Sequence, residues 1–295
     1  MNGIKRSFFI IGAASMCALS TWADDSSAVV ILRRTTNAPA IPYQGTVTVG
    51  IRQDKGMRFE DVKVRFKPPN LYRWEYMAPD GKVERAVVTH KEPGLQLAKQ
   101  EWNLLMANYA VKVTGVDNVI GRPVWQLELT PKVPGKCHRR MLIDQQTGII
   151  LENKKFRPNK NETVMSRFVR FEAPAYFSDS LFNQHPAHVE KPGMCARVHS
   201  AQRKPAPQTL PNGFQLVGAN AMQVGDNVVA QLRYSDGLTT ISVFQTFQPV
   251  NTADAHRPTM SINHVVSQPV EDGHVTLIGD VPNELLQEMA LAFNK

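Results

Sequence analysis

Four side chains of metal-ligand type fall close together: His185, His188, Cys195 and His199. Zinc accepts each of these donors, and a His-x-x-His pair can present two of them to one ion. The spacing to Cys195 is loose, though, and prolines break the segment. A polar linker accounts for it better than a closed tetrahedral site, so no metal is implied. The chain lacks Gly-x-Ser-x-Gly, His-Glu-x-x-His and any glycine loop that could cradle a phosphate. Acid–glycine pairs such as Asp236-Gly237 are turn formers first. No catalytic residue and no cofactor follows, and the expectation is a protein that binds rather than catalyses.

Three aromatic residues, Tyr72, Trp74 and Tyr76, lie two apart. On a strand they project from one sheet face. They are either ordinary core or, on a sheet curved around a cavity, the lining of an apolar ligand groove. The basic run 154–160 (KKFRPNK) reads as a solvated hairpin tip, with contact to an anionic surface as the functional alternative.

The amino terminus sets the compartment. Lys5 and Arg6 precede an uncharged run over residues 8–20, and Thr21-Trp22-Ala23 puts small side chains at −3 and −1 of a cleavage point. Residues 1–23 therefore read as a secretory signal peptide. Cys17 offers lipidation as an alternative, but Met16 precedes it where a small residue is expected. Loss of Lys5 and Arg6 lowers the formal charge of +8 by two, leaving a moderately basic chain suited to anionic surfaces or acidic proteins. Cleavage also leaves two cysteines, Cys137 and Cys195, and an oxidising compartment favours a disulfide between them.

The elements that must position these residues are mostly strands. Residues 26–35 suit a short helix, after which period-two alternation dominates. Val47, Val49 and Ile51 alternate with small or polar residues, as do Val62, Val64 and Phe66, then Trp125, Leu127 and Leu129. Further strands are expected at 71–77, 83–89, 109–115, 137–143, 148–156 and 162–172, with a helix near 101–108 whose Trp102, Leu105 and Met106 share a face. This is one long meander of about ten strands, a curved antiparallel sheet or open half-barrel spanning residues 24–172. Residues 173–209, rich in proline, read as a linker. From residue 210 to 295 shorter strands (214–223, 228–234, 239–247, 260–267 and 275–278) precede a helix opened by Pro282, with Leu285, Leu286, Met289 and Phe293 on one side. The fold class is mainly β, with a small C-terminal α+β domain.

Two stretches resemble known families. Residues 115–172, with GRPVWQLELTPK, RRMLIDQQTGIILENKKF and SRFVRFE, resemble the second half of LolA/LolB-type lipoprotein-carrier domains. PYQGTVTV and PPNLYRWEY fit the same domain more loosely. LPNGFQLVG, LRYSDGLTTISVFQ and VTLIGDVPNELLQEMALAF resemble the C-terminal domain of the MucB/RseB family, negative regulators of sigma-E-type envelope stress signalling. The resemblance implies a periplasmic protein that binds the periplasmic part of a single-pass anti-sigma factor and shields it from proteolysis. It would let go on meeting a lipid-like or misfolded envelope signal, such as lipopolysaccharide or a lipoprotein. The candidate partner-binding residues are Tyr234, Ser235, Asp236, Gly237 and Leu238, and the candidate ligand groove is Tyr72, Trp74 and Tyr76. A periplasmic lipid or lipoprotein carrier is the alternative.

Overall fold

The computed structural model describes residues 25–36, 41–53, 56–78, 80–90, 99–158, 162–183, 206–224, 227–246, 264–271 and 273–294. The proposed signal peptide, the His185/His188/Cys195/His199 group and most of the basic tip's far end lie outside them.

Helix α1 (Asp25–Thr36) precedes four strands, β1 (Tyr43–Gln53), β2 (Gly56–Lys67), β3 (Leu71–Met77) and β4 (Val83–His90). Helix α2 (Lys99–Asn108) leads to β5 (Tyr109–Val119), β6 (Arg122–Pro131), β7 (His138–Asp144), β8 (Ile150–Phe156) and β9 (Glu162–Glu172). These form one nine-stranded sheet in the order β4-β3-β2-β1-β9-β8-β7-β6-β5. The expected single meander is in fact two. Strands β4 and β5 lie at opposite edges, and β1 pairs with β9 in the middle, Val47 opposite Phe168. Local alternation defines strands; only the long-range β1–β9 pairing settles their order.

The sheet curls around an aromatic and aliphatic core that includes Tyr43, Phe66, Tyr72, Phe168 and Leu151. A second core joins Ala28, Ile31 and Leu32 of α1 and Leu105 of α2 to Leu127, Leu129, Met141 and Ile143 of the sheet. The buried face of α2 holds Glu101, Leu104, Leu105 and Asn108, the i, i+3, i+4, i+7 spacing of a helical stripe. Trp102 and Met106, expected on that stripe, are only partly buried.

The chain does not leave the sheet at Glu172. Ala175 donates its amide to the Pro42 carbonyl at 2.9 Å, and a short helix α3 (Ser180–Asn183) follows. Arg73 Nη1 donates to the Leu181 carbonyl at 2.6 Å, and Lys67 pairs with Asp179. Residues 173–183 of the expected linker are thus packed onto β2 and β3.

The second sheet holds β10 (Thr209–Leu210), β11 (Phe214–Val224), β12 (Asn227–Ser235), β13 (Thr240–Thr246), β14 (His264–Val270) and β15 (Gly273–Gly279), in the order β10-β11-β12-β13-β15-β14. Helix α4 (Asn283–Leu291) covers it. Its buried Leu285, Leu286, Met289 and Ala290 close a core with Phe214, Tyr234, Ile241, Val243 and Leu277. Pro282 stands just before the helix and its carbonyl accepts from the amides of Leu285 and Leu286.

Candidate functional site

The register across β1, β2 and β3 places the three aromatic residues on one face. Tyr43 lies opposite Phe66 and Phe66 opposite Tyr72; Gly45 lies opposite Val64 and Val64 opposite Trp74; Val62 lies opposite Tyr76. Directly opposed residues of an antiparallel pair share a face. Here they pack on one another. Tyr72 and Trp74 stack with centroids 5.8 Å apart, Phe66 and Tyr72 lie 4.7 Å apart, and the Tyr43 hydroxyl donates to the Tyr72 hydroxyl at 3.2 Å. Burial raises the Tyr72 phenol to about 12, with the Tyr43 hydrogen bond lowering it slightly. Tyr76 instead carries the Arg85 guanidinium 4.0 Å from its ring centroid. Tyr72 is a core residue, Trp74 packs at the edge of that core, and Tyr76 is a half-buried cation–π platform.

Gly45 explains the tightness. A Cβ there would lie 2.3 Å from the Arg170 carbonyl and 2.8 Å from the Phe168 ring. The Arg170 carbonyl and the Phe168 ring fill the space a side chain would take.

A cavity of about 400 Å³ opens on the same strands, lined by Gln44, Thr46, Lys63, Arg65, Arg170 and Glu172 among others. Lys63 and Arg170 both stand opposite Thr46, and Arg65 and Glu172 both stand opposite Gln44. Arg65 is committed to Glu75 at 2.7 Å, and Gln44 Nε2 donates to Glu172 at 2.7 Å. Burial would raise the Glu75 carboxyl, but Arg73 and Arg65 outweigh it and hold it below the usual carboxylate range. The cavity's lining mixes Val64 and Phe171 with these polar groups, and two exposed cations, Lys63 and Arg170, stand at its rim. None of Tyr72, Trp74 and Tyr76 lines the cavity.

Residues 234–238 lie elsewhere, where the small sheet meets the large one. Tyr234 is fully buried under Phe293, and its hydroxyl donates to the Pro207 carbonyl at 2.7 Å. Ser235 Oγ accepts from the Gly237 amide at 3.0 Å, so the turn is braced by its own side chains. Asp236 is 1% exposed. Its Oδ1 accepts from the amides of Leu238 and Thr239 at 3.0 and 2.8 Å, within the turn. Its Oδ2 accepts from the Tyr109 hydroxyl at 2.7 Å and faces Lys136 Nζ at 3.3 Å, both on the large sheet's side. Gly237 has φ +94°, and a Cβ would lie 2.1 Å from the Leu105 amide nitrogen. Only glycine satisfies both the conformation and the contact. The Leu238 carbonyl accepts from Arg139 Nη2 at 3.4 Å.

Other contacts cross the same junction. Asn108 Nδ2 donates to the carbonyls of Asp236 (3.0 Å) and Gly213 (3.3 Å), and its Oδ1 accepts from Lys136 Nζ at 2.9 Å. Lys155 Nζ donates to Asp280 Oδ2 at 2.6 Å. Burial lowers the Lys136 ammonium's pKa, and Asp236 opposes that shift. Cys137 is buried beside this junction, and burial raises its thiol pKa; Lys155 lowers it and Asp280 raises it. It is a free thiol here, and Cys195 lies outside the described residues. Sequence reading missed Lys136, Tyr109 and Asn108. The one available signal was Asn108, a polar residue in helical register with Leu104 and Leu105.

Comparison with known proteins now bears on the two sheets. Residues 200–294 match a family model described as the MucB/RseB C-terminal domain. That stretch, about a third of the chain, is similar to the MucB/RseB C-terminal domain. Over about nine-tenths of its length the chain has the fold seen in solved MucB structures. A crystal structure of MucB in complex with MucA(peri) is 24% identical and covers 91% of this chain and 98% of its own, with a TM-score of 0.63. The complex structure of Pseudomonas aeruginosa MucA/MucB gives 23%, 91%, 97% and 0.62 in the same terms. A LolA superfamily protein from Nitrosomonas europaea covers 53% of this chain and 97% of its own at 9% identity, with a TM-score of 0.27. No curated protein sequence matches significantly. Among the described residues, no helix is long and apolar enough to cross a membrane, and no group of three His, Cys, Asp or Glu could hold a metal.

Proposed function

We propose that this protein is an exported, periplasmic negative regulator that binds the periplasmic segment of a single-pass anti-sigma factor and shields it from proteolysis. The carrying observation is the two-sheet likeness to a MucB structure in complex with MucA(peri), spanning 91% of this chain, together with the stretch similar to the MucB/RseB C-terminal domain. A plain carrier has no use for the second sheet. The chemistry favours partner binding over catalysis, since the buried polar groups of the junction are occupied with one another. Release on an envelope signal, lipid-like or misfolded, belongs to the same reading, and a ligand could drive it only by its differential affinity for the two arrangements.

The test is a pull-down from a periplasmic extract with the chain lacking residues 1–23 as bait. Recovery of a single-pass anti-sigma factor is expected, and added lipopolysaccharide should reduce the yield. Recovery of acyl lipid with no such polypeptide would favour the carrier.

A further inference from the structure

The small sheet is joined to the large one by a built socket whose key is one carboxylate. Asp236 divides its two oxygens between two tasks. Oδ1 shapes its own turn through the Leu238 and Thr239 amides, and Oδ2 alone reaches the large sheet's Tyr109 and Lys136. The receiving side is formed by the end of α2, the start of β5 and the turn before β7. Asn108 takes the Lys136 ammonium on Oδ1 and the Asp236 carbonyl on Nδ2. Lys136 also lies 5.5 Å from the ring centroids of Tyr109 and, across the junction, Phe214. The side chains of Lys136 and Asp236 are 2% and 1% exposed. Removing one member of such a pair strands the other without water, a penalty much larger than the pair's own net value.

We propose that Asp236 is an interdomain latch: its ionised carboxylate, seated among Tyr109, Lys136 and Asn108, holds two otherwise independent folded units in one posture. Each sheet has its own hydrophobic core, and of the small unit's described residues only Leu238, in the same turn as Asp236, packs against the large sheet's cores. The turn keeps its shape without the socket, because its internal bonds use Oδ1, Ser235 Oγ and backbone amides. Loss of the charge therefore undocks the small unit without unfolding it. The latch is a property of the isolated chain and holds whether or not an anti-sigma segment binds.

The test uses the chain from residue 24 onward and the variants Asp236→Asn, Lys136→Met and the two combined. Asparagine keeps an acceptor for the turn and removes the charge. Hydrogen exchange and calorimetry are the readouts. In Asp236→Asn the amides of residues 104–109 and 235–239 should exchange at least tenfold faster, while β13, β15 and α4 keep their protection. The single melting transition should split in two. Lys136→Met should do the same, and the double variant should be less perturbed than Lys136→Met alone, since it leaves no stranded carboxylate. Wild-type exchange at the junction in either single variant overturns the latch. So does loss of protection throughout β11 to β15, which would make Asp236 a determinant of the small fold itself.

Discussion

Asp144 is fully buried, and its carboxylate is held from two sides. Arg122 donates from Nε to Oδ1 at 3.0 Å and from Nη2 to Oδ2 at 2.9 Å. Thr147 adds its amide at 2.9 Å and its hydroxyl at 2.5 Å. The Asp-x-x-Thr-Gly stretch is thereby a side-chain-braced turn between β7 and β8. Burial would raise the Asp144 carboxyl; Arg122 and Thr147 outweigh it and hold it below the usual range. Glu75 between Arg73 and Arg65 is depressed for the same reason. A carboxylate depressed in the folded state stabilises the fold above its unfolded pKa, near 4, and that stability is lost as pH falls toward the folded value. The urea midpoint should therefore fall as the pH drops below about 4. In Asp144→Asn the midpoint at neutral pH should be lower, and its acid dependence shallower. An equally steep acid loss in the variant would refute the assignment.

At the scale of elements, the seam between β1 and β9 carries the large sheet. It joins two meanders that share no other strand pairing in the described sheet. Gly45 sits in that seam, opposite Phe171 and one residue from the register shift between Thr46 and Val47. Replacing it by alanine forces the new methyl against the Arg170 carbonyl and the Phe168 ring. Overpacking of this kind costs about 1–3 kcal/mol. Gly45→Ala should shift the denaturation midpoint accordingly and expose tryptophan emission from Trp74, which packs on the same core. By contrast, Gly115→Ala, where a Cβ meets nothing within 4 Å, should leave the midpoint nearly unchanged.

At the scale of the whole molecule, the large sheet's end is incomplete without the small one. Leu105, Asn108, Tyr109 and Lys136 are all buried, and the groups covering or pairing with them include Gly213, Phe214, Asp236 and Gly237. A chain ending at residue 199 uncovers a lysine, a tyrosine and a helix backbone that the intact protein seals. It should melt about 5 °C or more below the intact chain, equivalent to roughly 2 kcal/mol. An unchanged melting temperature would mean the junction contributes nothing to the large sheet.

The residues themselves determined the elements. Period-two alternation marked the strands of both sheets, the turn glycines fell between them, and the leucine stripe after Pro282 marked α4, because each of these patterns follows from backbone geometry within a few residues. The MucB/RseB resemblance was carried the same way, by turn and strand residues such as Tyr234, Asp236 and Gly237 that the local fold requires. Tertiary structure alone decided three things. It put β1 beside β9, a pairing of residues more than a hundred apart that no local pattern encodes. It closed Tyr72 and Trp74 into a packed cluster, since whether an aromatic row lines a groove or fills a core depends on what neighbouring strands bring against it, here Phe66 of β2 and Tyr43 of β1. And it turned Asp236, an ordinary turn acid in one dimension, into a buried partner of Lys136 and Tyr109, because only the docking of two separately folded sheets removes water from that carboxylate.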